Sequence, residues 1–332
     1  MINFLLLSLL SGVIELGSVL LGIKLGVPVA GIILLPFWYQ LGNLLMSYLP
    51  KKKSLYLFML ATVILGAIIN NFSWSYIVLA IQLVITSYCI QAAREKNKKS
   101  CPTWLKRSFR IGGFAISAIF VLCNGQIILI ASIFFSVLLL LRGTTIEKVA
   151  SGKKKYSGIS LVMIFHQIHY FVYTYIMPIY LYQNTKSFIA IAIAFAITWI
   201  VYLSPQVIVE KSGNVKYKKI FFGGHSFLAV CLGLMAWMSR LGFTEGVLCC
   251  WFLTGFGGGT VFCIKHLCSK YEKMNMDLSE NIGHVVGPFL AVCICYYFPN
   301  IEITALAFVS CISVVVALLS AIIVVVKERK NG

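Results

Sequence analysis

A single acidic residue stands inside a long apolar stretch near the start of the chain. Glu15 lies about 12 residues into this stretch, so a helix would place it roughly 18 Å along the axis and near the middle of a bilayer. A charged carboxylate is poorly solvated in lipid and favours a bound proton or cation. Glu15 is therefore a candidate proton- or cation-coupling residue. The alternative is a protonated side chain that bonds to a neighbouring helix for structural reasons only.

A second group of polar residues shares one helical face between residues 165 and 177. His166, Tyr170, Tyr173 and Met177 recur at the spacing i, i+4, i+7 and i+11, and His169 borders the same face. Because imidazole is a titratable group, His166 and His169 are candidate proton-coupling residues. Helix–helix hydrogen bonding by the same polar side chains is the alternative interpretation.

A glycine-rich segment follows later in the chain. Each glycine weakens a helix by roughly 1 kcal/mol relative to alanine, so such a segment predicts either bending during a conformational change or close helix packing. The glycines are Gly255, Gly257, Gly258 and Gly259.

The composition defines the solvent in which these residues must be positioned. Hydrophobic residues make up 60% of the 332 residues and charged residues only 11%, whereas soluble domains average about 45–50% and about 25%. So few charges cannot cover a water-facing surface, which excludes a soluble enzyme, a disordered chain and a disulfide-stapled secreted domain. The apolar runs lack the alternation of a membrane barrel, so helices are the remaining way to satisfy backbone groups in lipid. The predicted fold class is an all-α integral membrane protein.

Twelve apolar runs are long enough to cross a bilayer as helices, since about 20 residues suffice. They cover about 3–22, 27–49, 54–72, 74–93, 108–123, 125–142, 157–178, 186–207, 219–239, 245–265, 281–298 and 301–326.

The basic residues test this map of spans. The chain has 28 Lys and Arg, and 25 of them fall in alternate loops or at the termini, while only Lys24, Lys186 and Arg240 fall in the others. Lys and Arg concentrate in cytoplasmic loops, so the pattern predicts a multi-pass protein of the cytoplasmic membrane with both termini inside. The net charge of +18 is then a topology signal, and no nucleic-acid partner is expected.

Short, weakly similar sequence segments recur about half a chain apart and divide the twelve spans into two groups of six. The fifth run opens with Ser108-Phe-Arg-Ile-Gly-Gly113, and the eleventh opens with Ser279-Glu-Asn-Ile-Gly-His284, 171 residues later. Parallel repeats of this kind imply two six-helix bundles with a substrate site between them. We therefore predict an N-terminal bundle over residues 1–142, a central cytoplasmic loop over 143–156 and a C-terminal bundle over 157–332.

Two loop motifs extend this pattern. Gly42 lies near the end of the second run and is followed by the basic tail Lys51–Lys53, and Glu210, Lys211 and Gly213 follow the eighth run. Together with the twelve spans, these residues resemble the major facilitator superfamily of secondary transporters, whose G-x-x-x-D-R-x-G-R-K-R type motif occupies both places. The first copy lacks the acidic residue.

The resemblance implies roles for further residues. In that family the first, fourth, seventh and tenth spans line the central cavity, which makes Gln82, Tyr170, Tyr173, Met177 and Trp251 candidate cavity residues. The eleventh span of the family often carries a glycine–proline pattern linked to conformational change, and Gly287-Pro288 matches it.

The expected function is secondary active transport of a small solute by alternating access, driven by a proton gradient and with export favoured over import. No enzymatic activity, cofactor or metal is expected, and the 11 cysteines include no CxxC pair. The expected partners are the solute and the lipid bilayer, with the oligomeric state open and a monomer sufficient. Alternatives are a non-transporting sensor or assembly component, a flippase for a lipid-linked intermediate and, more remotely, a membrane-embedded enzyme.

Overall fold

The computed structural model describes residues 2–46, 48–49, 53–72, 76–96, 103–123, 158–212, 216–269, 275–299 and 302–331. Within these ranges the protein is all-helical and forms no β-strand. The α-helices are α1 (Ile2–Lys24), α2 (Val29–Met46), α3 (Lys53–Phe72), α4 (Tyr76–Lys96), α5 (Thr103–Cys123), α6 (Leu161–Tyr173), α7 (Ile176–Thr185), α8 (Phe188–Ser212), α9 (Tyr217–Arg240), α10 (Thr244–Gly258), α11 (Phe262–Ser269), α12 (Met276–Tyr297) and α13 (Glu302–Asn331), with a 3-10 turn at Gly259–Val261 between α10 and α11.

Eight stretches of helix in the described part of the chain are long and apolar enough to cross a membrane. They are Leu5–Lys24, Val29–Met46, Tyr76–Ala93, Phe188–Val209, Tyr217–Arg240, Thr244–Ile264, Met276–Tyr297 and Glu302–Val326. An all-helical integral membrane protein accounts for this architecture.

Three of the other four predicted spans differ from these eight for identifiable reasons. In α3 the described apolar part is the shorter Leu57–Gly66, and the first half of α5 carries Lys106, Arg107 and Arg110. The predicted seventh span is divided, because a turn between Tyr173 and Ile176 separates α6 from α7. The predicted sixth span, 125–142, and the predicted central loop, 143–156, lie outside the described residues.

The chain forms two compact units. The first comprises Met1–Lys154 with Pro178–Ile193, and the second comprises Lys155–Met177 with Ala194–Gly332. In the first unit α1 packs mainly against α5, and α2 packs mainly against α4. In the second unit α6 packs against α12 and α13, while α9 packs against α10 and α13.

The start of α6 is fixed to the start of α12. The Ser160 side chain accepts a hydrogen bond from the Met163 amide, which caps α6. The Ser160 amide in turn donates to Ser279 Oγ at 2.8 Å. Asn275 caps α12 by accepting from the Leu278 amide at 3.0 Å. The N-terminal ends of α6 and α12, which are far apart in sequence, are therefore joined by a hydrogen bond. This contact orients α6 within the second unit.

One face of α8 is suited to lipid. Isoleucines at positions 189, 193, 197, 200 and 208 are each more than two-fifths exposed, and their spacing of three or four residues, or a multiple, keeps them on one side of the helix. The opposite side contains buried residues such as Phe195, Thr198 and Pro205. A helix with an isoleucine side and a buried aromatic and polar side is typical of a span that packs against other spans.

Candidate functional site

Glu15 is not an isolated carboxylate. It lies in α1 with 3% of its surface exposed, and it forms an ion pair with the guanidinium of Arg110 in α5. The description of Glu15 as a lone acidic group in lipid is therefore wrong, because a helix 95 residues later supplies a cation. The role of Glu15 in proton or cation coupling stays a prediction.

Two glycines bring α1 and α5 close enough for this pair. A Cβ at Gly12 would collide with the backbone carbonyl of Arg110, and a Cβ at Gly113 would collide with the carbonyl of Leu9. Small residues at such positions let backbones approach closely, as in other membrane helix pairs. The ion pair therefore lies between two helices, each of which carries a glycine that permits their close contact.

Other polar side chains continue along the same side of α1. Ser8, Ser11, Glu15 and Ser18 are all buried, and their spacing of three or four residues places them in one stripe. The Ser11 hydroxyl lies 2.8 Å from the Tyr39 hydroxyl of α2, and Ser18 donates to the backbone carbonyl of Glu15 at 3.1 Å. The stripe thus meets α2 at one end and α5 in its middle.

Gln82 lies at a helix interface. Its amide donates from Nε2 to the Val63 carbonyl of α3 at 3.2 Å, across Gly66. Its Oε1 and the Oγ1 of Thr86, one turn further along α4, have no hydrogen-bond partner among the described residues. Gln82 is 3% exposed, so its predicted place in a cavity wall stays a prediction.

The second unit buries a chain of imidazoles. His166 Nδ1 of α6 lies 2.9 Å from His225 Nε2 of α9, and His225 Nδ1 lies 3.1 Å from the Phe221 carbonyl and 3.0 Å from Thr260 Oγ1. A carbonyl can only accept, so His225 Nδ1 carries the proton. In a neutral ring Nε2 then accepts from His166 Nδ1–H. Thr260 donates to the Gly257 carbonyl at 2.7 Å, which completes a chain that requires no charge.

His169 and Tyr170 occupy different surroundings. The ring of His169 lies edge-on to that of His166, with centroids 4.7 Å apart, and His169 is 1% exposed. Within the described ranges its Nδ1 has no partner of good hydrogen-bond geometry, although the His166 carbonyl one turn earlier lies close to the ring. Tyr170 is partly exposed. The predicted proton-coupling role of His166 and His169 stays a prediction.

The remaining predicted cavity residues are buried in packing contacts. Tyr173 bonds to Thr254 of α10 at 2.9 Å between hydroxyl oxygens, and the ring of Trp251 packs against Phe195 with centroids 5.4 Å apart. Met177, like Tyr173 and Trp251, is 2% exposed or less. Of the predicted cavity residues, Tyr170 alone is partly exposed.

Most of the glycine-rich segment serves close packing. A Cβ at Gly255 would lie 2.7 Å from the Thr198 carbonyl, a Cβ at Gly257 would lie 2.7 Å from the Gly224 carbonyl, and one at Gly259 would collide with the Tyr202 carbonyl. The packing interpretation explains these three glycines without a hinge. Gly258 is different, because its Cβ would make only ordinary contacts at 3.7 Å or more.

The glycine–proline pattern of the predicted eleventh span lies inside α12. A Cβ at Gly287 would come within 2.6 Å of Phe171 Cβ, so this glycine also permits close contact with α6. Pro288 is buried within α12. The predicted role of both residues in conformational change stays a prediction.

The two loop motifs divide between helix and undescribed segments. Gly42 lies within α2 and faces the Val84 carbonyl of α4, with which a Cβ would collide. Its placement in a cytoplasmic loop is therefore wrong, and close contact with α4 explains the glycine. Gly213 and the side chains of Glu210 and Lys211 lie outside the described residues.

Three features of the site were not predicted from the sequence. Arg110 counts as a loop residue when charges alone define the spans, although a base inside a predicted run is itself a signal for a partner. His225 belongs to no recognisable spacing of polar residues, and its hydrogen-bond partner His166 lies 59 residues away in sequence. The spacing of serines along α1 is visible in the sequence and could have revealed the polar stripe.

No protein-family model matches the chain, and no curated protein matches it. Among the described residues, no group of His, Cys, Asp or Glu side chains is arranged to hold a metal ion.

Proposed function

We propose that the chain is a secondary active transporter of the twelve-span, major-facilitator type. It moves a small solute across the cytoplasmic membrane by alternating access and couples this movement to a proton gradient, with export favoured over import. The observation that carries the proposal is the Glu15–Arg110 ion pair, whose carboxylate is buried and lies in the apolar helix α1. Ionisable groups within spans are costly, and they characteristically mark solute, ion or proton paths.

Repeated helix contacts support a two-bundle arrangement. In the numbering of the predicted spans, α1 and α5 are the first and fifth, and α6 and α12 belong to the seventh and eleventh. Both pairs are in close contact through glycines, at Gly12 and Gly113 in one and at Gly283 and Gly287 in the other. Glycines thus bring the equivalent spans of each half into close contact, on both helices in the first pair and on α12 alone in the second, which supports a parallel repeat.

A second set of contacts follows the same rule. The predicted second and fourth spans, α2 and α4, touch at Gly42 and the Val84 carbonyl. The predicted eighth and tenth spans, α8 and α10, touch at Gly255 and the Thr198 carbonyl. The glycine is on the earlier helix in one half and on the later helix in the other, but the helices that meet are equivalent.

A transport assay tests the proposal. Protein reconstituted into liposomes that contain a pH-sensitive dye is exposed to a panel of small solutes under an imposed pH gradient. We expect at least one solute to drive proton flux, and the double variant Glu15→Gln/Arg110→Gln to abolish that flux while remaining folded. The control is Glu245→Gln, because Glu245 is an exposed carboxylate at the start of α10. Wild-type flux in the double variant would remove Glu15 from the coupling role.

A non-transporting sensor or assembly component, or a flippase for a lipid-linked intermediate, is the second candidate. The observation that favours it is the burial of His166, His225 and Tyr173 in hydrogen bonds between neighbouring helices, since polar groups confined to helix interfaces stabilise a bundle without lining a path. Exchange of a labelled solute across the membrane, with no gradient imposed, separates the two. A sensor or assembly component catalyses no such exchange, and a flippase moves a labelled lipid instead.

A further inference from the structure

Several lysines gather at one end of the second unit. Lys216, Lys218 and Lys219 stand at the start of α9, and all three are exposed. The ring of Tyr217, which lies between them in sequence, stacks on His266 of α11 with centroids 4.0 Å apart and an interplanar angle of 15°. The end of α11 is therefore held against the start of α9, and these lysines belong to a packed helix end rather than to a loop.

Other helix ends of the second unit lie beside these lysines. One apolar cluster contains Phe221 of α9 and Leu267 of α11, and it also contains Ala321, near the end of α13. Met276, at the start of α12, packs against the same cluster, and α8 ends at Ser212, just before α9 begins. We call this group of helix ends, the starts of α9 and α12 with the ends of α8, α11 and α13, the basic end.

The charges of the basic end are mostly positive. Its bases in the sequence are Lys211, Lys216, Lys218, Lys219, Lys265, Lys327, Arg329 and Lys330. Its acidic residues are Glu210, Asp277, Glu280 and Glu328. At the opposite end of these helices, where Thr304 of α13 bonds to Ser239 of α9 at 3.1 Å, the charged residues of the described ranges are Arg240, Glu245 and Glu302. Bases therefore outnumber acids at one end only.

The lysines of α9 lie at the depth of lipid headgroups. About 29 Å of helix axis, at roughly 1.5 Å per residue, separates Lys218 from Trp237. Trp237 is 56% exposed, and Tyr296 and Tyr297 at the end of α12 are 74% and 72% exposed. Exposed Trp and Tyr at helix ends are typical of the interface between lipid and water. Because the hydrocarbon core is about 30 Å thick, Lys218 then lies at the other interface.

We propose that the basic end of the second unit binds the headgroups of anionic phospholipids. The contact needs no cavity, because the lipid approaches exposed lysines from the membrane that surrounds the protein. The charge pattern of the chain predicts this end to be cytoplasmic, and the cytoplasmic leaflet is the one that carries anionic lipids. Each Lys or Arg near such a surface strengthens binding roughly fivefold. The inference goes beyond the proposed transport function and does not depend on it.

Basic residues that serve only to orient the chain during insertion would leave the folded protein without a lipid preference. Two lipids that differ in headgroup charge therefore test the inference. Full-length protein in dodecyl maltoside micelles, captured through an affinity tag, is exposed to labelled phosphatidylglycerol or to labelled phosphatidylcholine with the same acyl chains. At low salt we expect the anionic lipid to bind at least about tenfold more tightly. Equal binding of the two lipids would overturn the proposal.

Salt gives a second measurement on the same samples. Because ions screen exposed charges, about 0.5 M sodium chloride should reduce the preference for phosphatidylglycerol to less than about threefold. Binding of phosphatidylcholine should stay unchanged, since its headgroup has no net charge. A preference that persists in high salt would show that the exposed lysines are not its source, and would refute the assignment.

Substitutions locate the binding. Lys218→Gln/Lys219→Gln should weaken phosphatidylglycerol binding at least about fivefold and leave phosphatidylcholine binding unchanged. Lys218→Arg/Lys219→Arg keeps both charges and should stay within about threefold of wild type. The matched control is Lys186→Gln/Arg240→Gln, which removes two exposed bases from loops predicted to be outside. Gel filtration verifies the fold of each variant. Equal weakening by the two glutamine variants would reflect net charge alone and would refute the basic end as the site.

The lipid and transport measurements fail independently. Protein that exchanges a labelled solute across a liposome membrane but binds both lipids equally refutes the lipid surface and leaves the transport function standing. Protein that prefers phosphatidylglycerol through Lys218 and Lys219 but exchanges no solute supports the lipid surface and refutes the transport function.

Discussion

The two units bury polar groups by different chemistry within similar helix contacts. In the first unit, α1 and α5 meet at glycines, and the buried Glu15 pairs with the partly exposed Arg110. In the second unit, α9 and α10 meet at Gly257, and the neutral chain from His166 through His225 ends on Thr260 beside it. A charged pair is costly to bury and costly to break, whereas a neutral hydrogen-bond chain costs less on both counts. The first unit is therefore the place where loss of a single partner should cost the most stability.

The largest effect should come from removing one charge of the ion pair. Arg110→Met takes the cation away from a carboxylate that is 3% exposed, and we expect a loss of about 3 kcal/mol of stability. The Glu15→Gln/Arg110→Met double variant should recover most of this loss, because neither helix then buries an unbalanced charge. Thermal unfolding can be followed with a thiol-reactive fluorogenic dye, which labels buried cysteines such as Cys89 and Cys263 only after they become exposed. A double variant no more stable than Arg110→Met would show that the ion pair is not the dominant interaction.

Glycine contacts in the first unit give the next largest effect. Gly113→Ala places a Cβ against the Leu9 carbonyl and should cost about 1–3 kcal/mol, the range for overpacking a tight contact. A Cβ at the adjacent Gly112 would meet no described atom of another helix within 4 Å, so Gly112→Ala should be neutral or stabilising by up to about 1 kcal/mol through helix propensity. Melting midpoints of these adjacent variants are directly comparable. Equal midpoints would refute the close α1–α5 contact on which the ion pair depends.

The same comparison can be made in the second unit. Gly259→Ala should destabilise the protein by about 1–3 kcal/mol, since its Cβ would collide with the Tyr202 carbonyl, while Gly258→Ala should change stability by less than about 1 kcal/mol. A hinge role for the whole segment would instead give both variants similar stability and impair transport in both. This pair therefore separates packing from bending at adjacent positions.

Disruption of the imidazole chain should have a smaller effect than loss of the ion pair. His225→Leu removes the acceptor of His166 Nδ1–H and the partner of Thr260, and we expect a loss of about 1 kcal/mol. In His166→Phe/His225→Leu both partners become apolar, so the double variant should be close to wild type in stability. A double-mutant cycle measures the coupling. A coupling energy as large as that of Glu15 with Arg110 would contradict the distinction between a charged pair in the first unit and a neutral hydrogen-bond chain in the second.

The contrast between the units also explains how far the sequence could be interpreted. The helical, membrane-spanning class follows from composition and apolar runs, and the burial of Glu15 follows from its place within one of them. The partner of Glu15 cannot be inferred from the sequence in the same way. Arg110 lies near the charged start of α5, and it contacts α1 only once the two helices pack together. A glycine-rich segment looks the same in the sequence whether the glycines allow the helix to bend or allow close packing against another helix. The choice at Gly257 or Gly259 depends on a backbone carbonyl from another helix.

Paired hydroxyl groups give the smallest and most discriminating comparison. Thr254 donates its one hydroxyl proton to the Trp251 carbonyl at 2.5 Å, so in the second unit Tyr173 must be the donor in its 2.9 Å contact with Thr254. Tyr173→Phe then leaves Thr254 with its own bond intact, and we expect a loss of about 0.5 kcal/mol. In the first unit the Ser11 hydroxyl has the Tyr39 hydroxyl, at 2.8 Å, as its hydrogen-bond partner. Tyr39→Phe should therefore cost more, about 1 kcal/mol, unless the serine rotates to the carbonyl four residues earlier. Unfolding measurements on both variants, with Tyr48→Phe at an exposed tyrosine as the control, would show the predicted order. The reverse order would mean that Ser11 finds a backbone acceptor, and that the stripe along α1 tolerates the loss of a partner as easily as the second unit does.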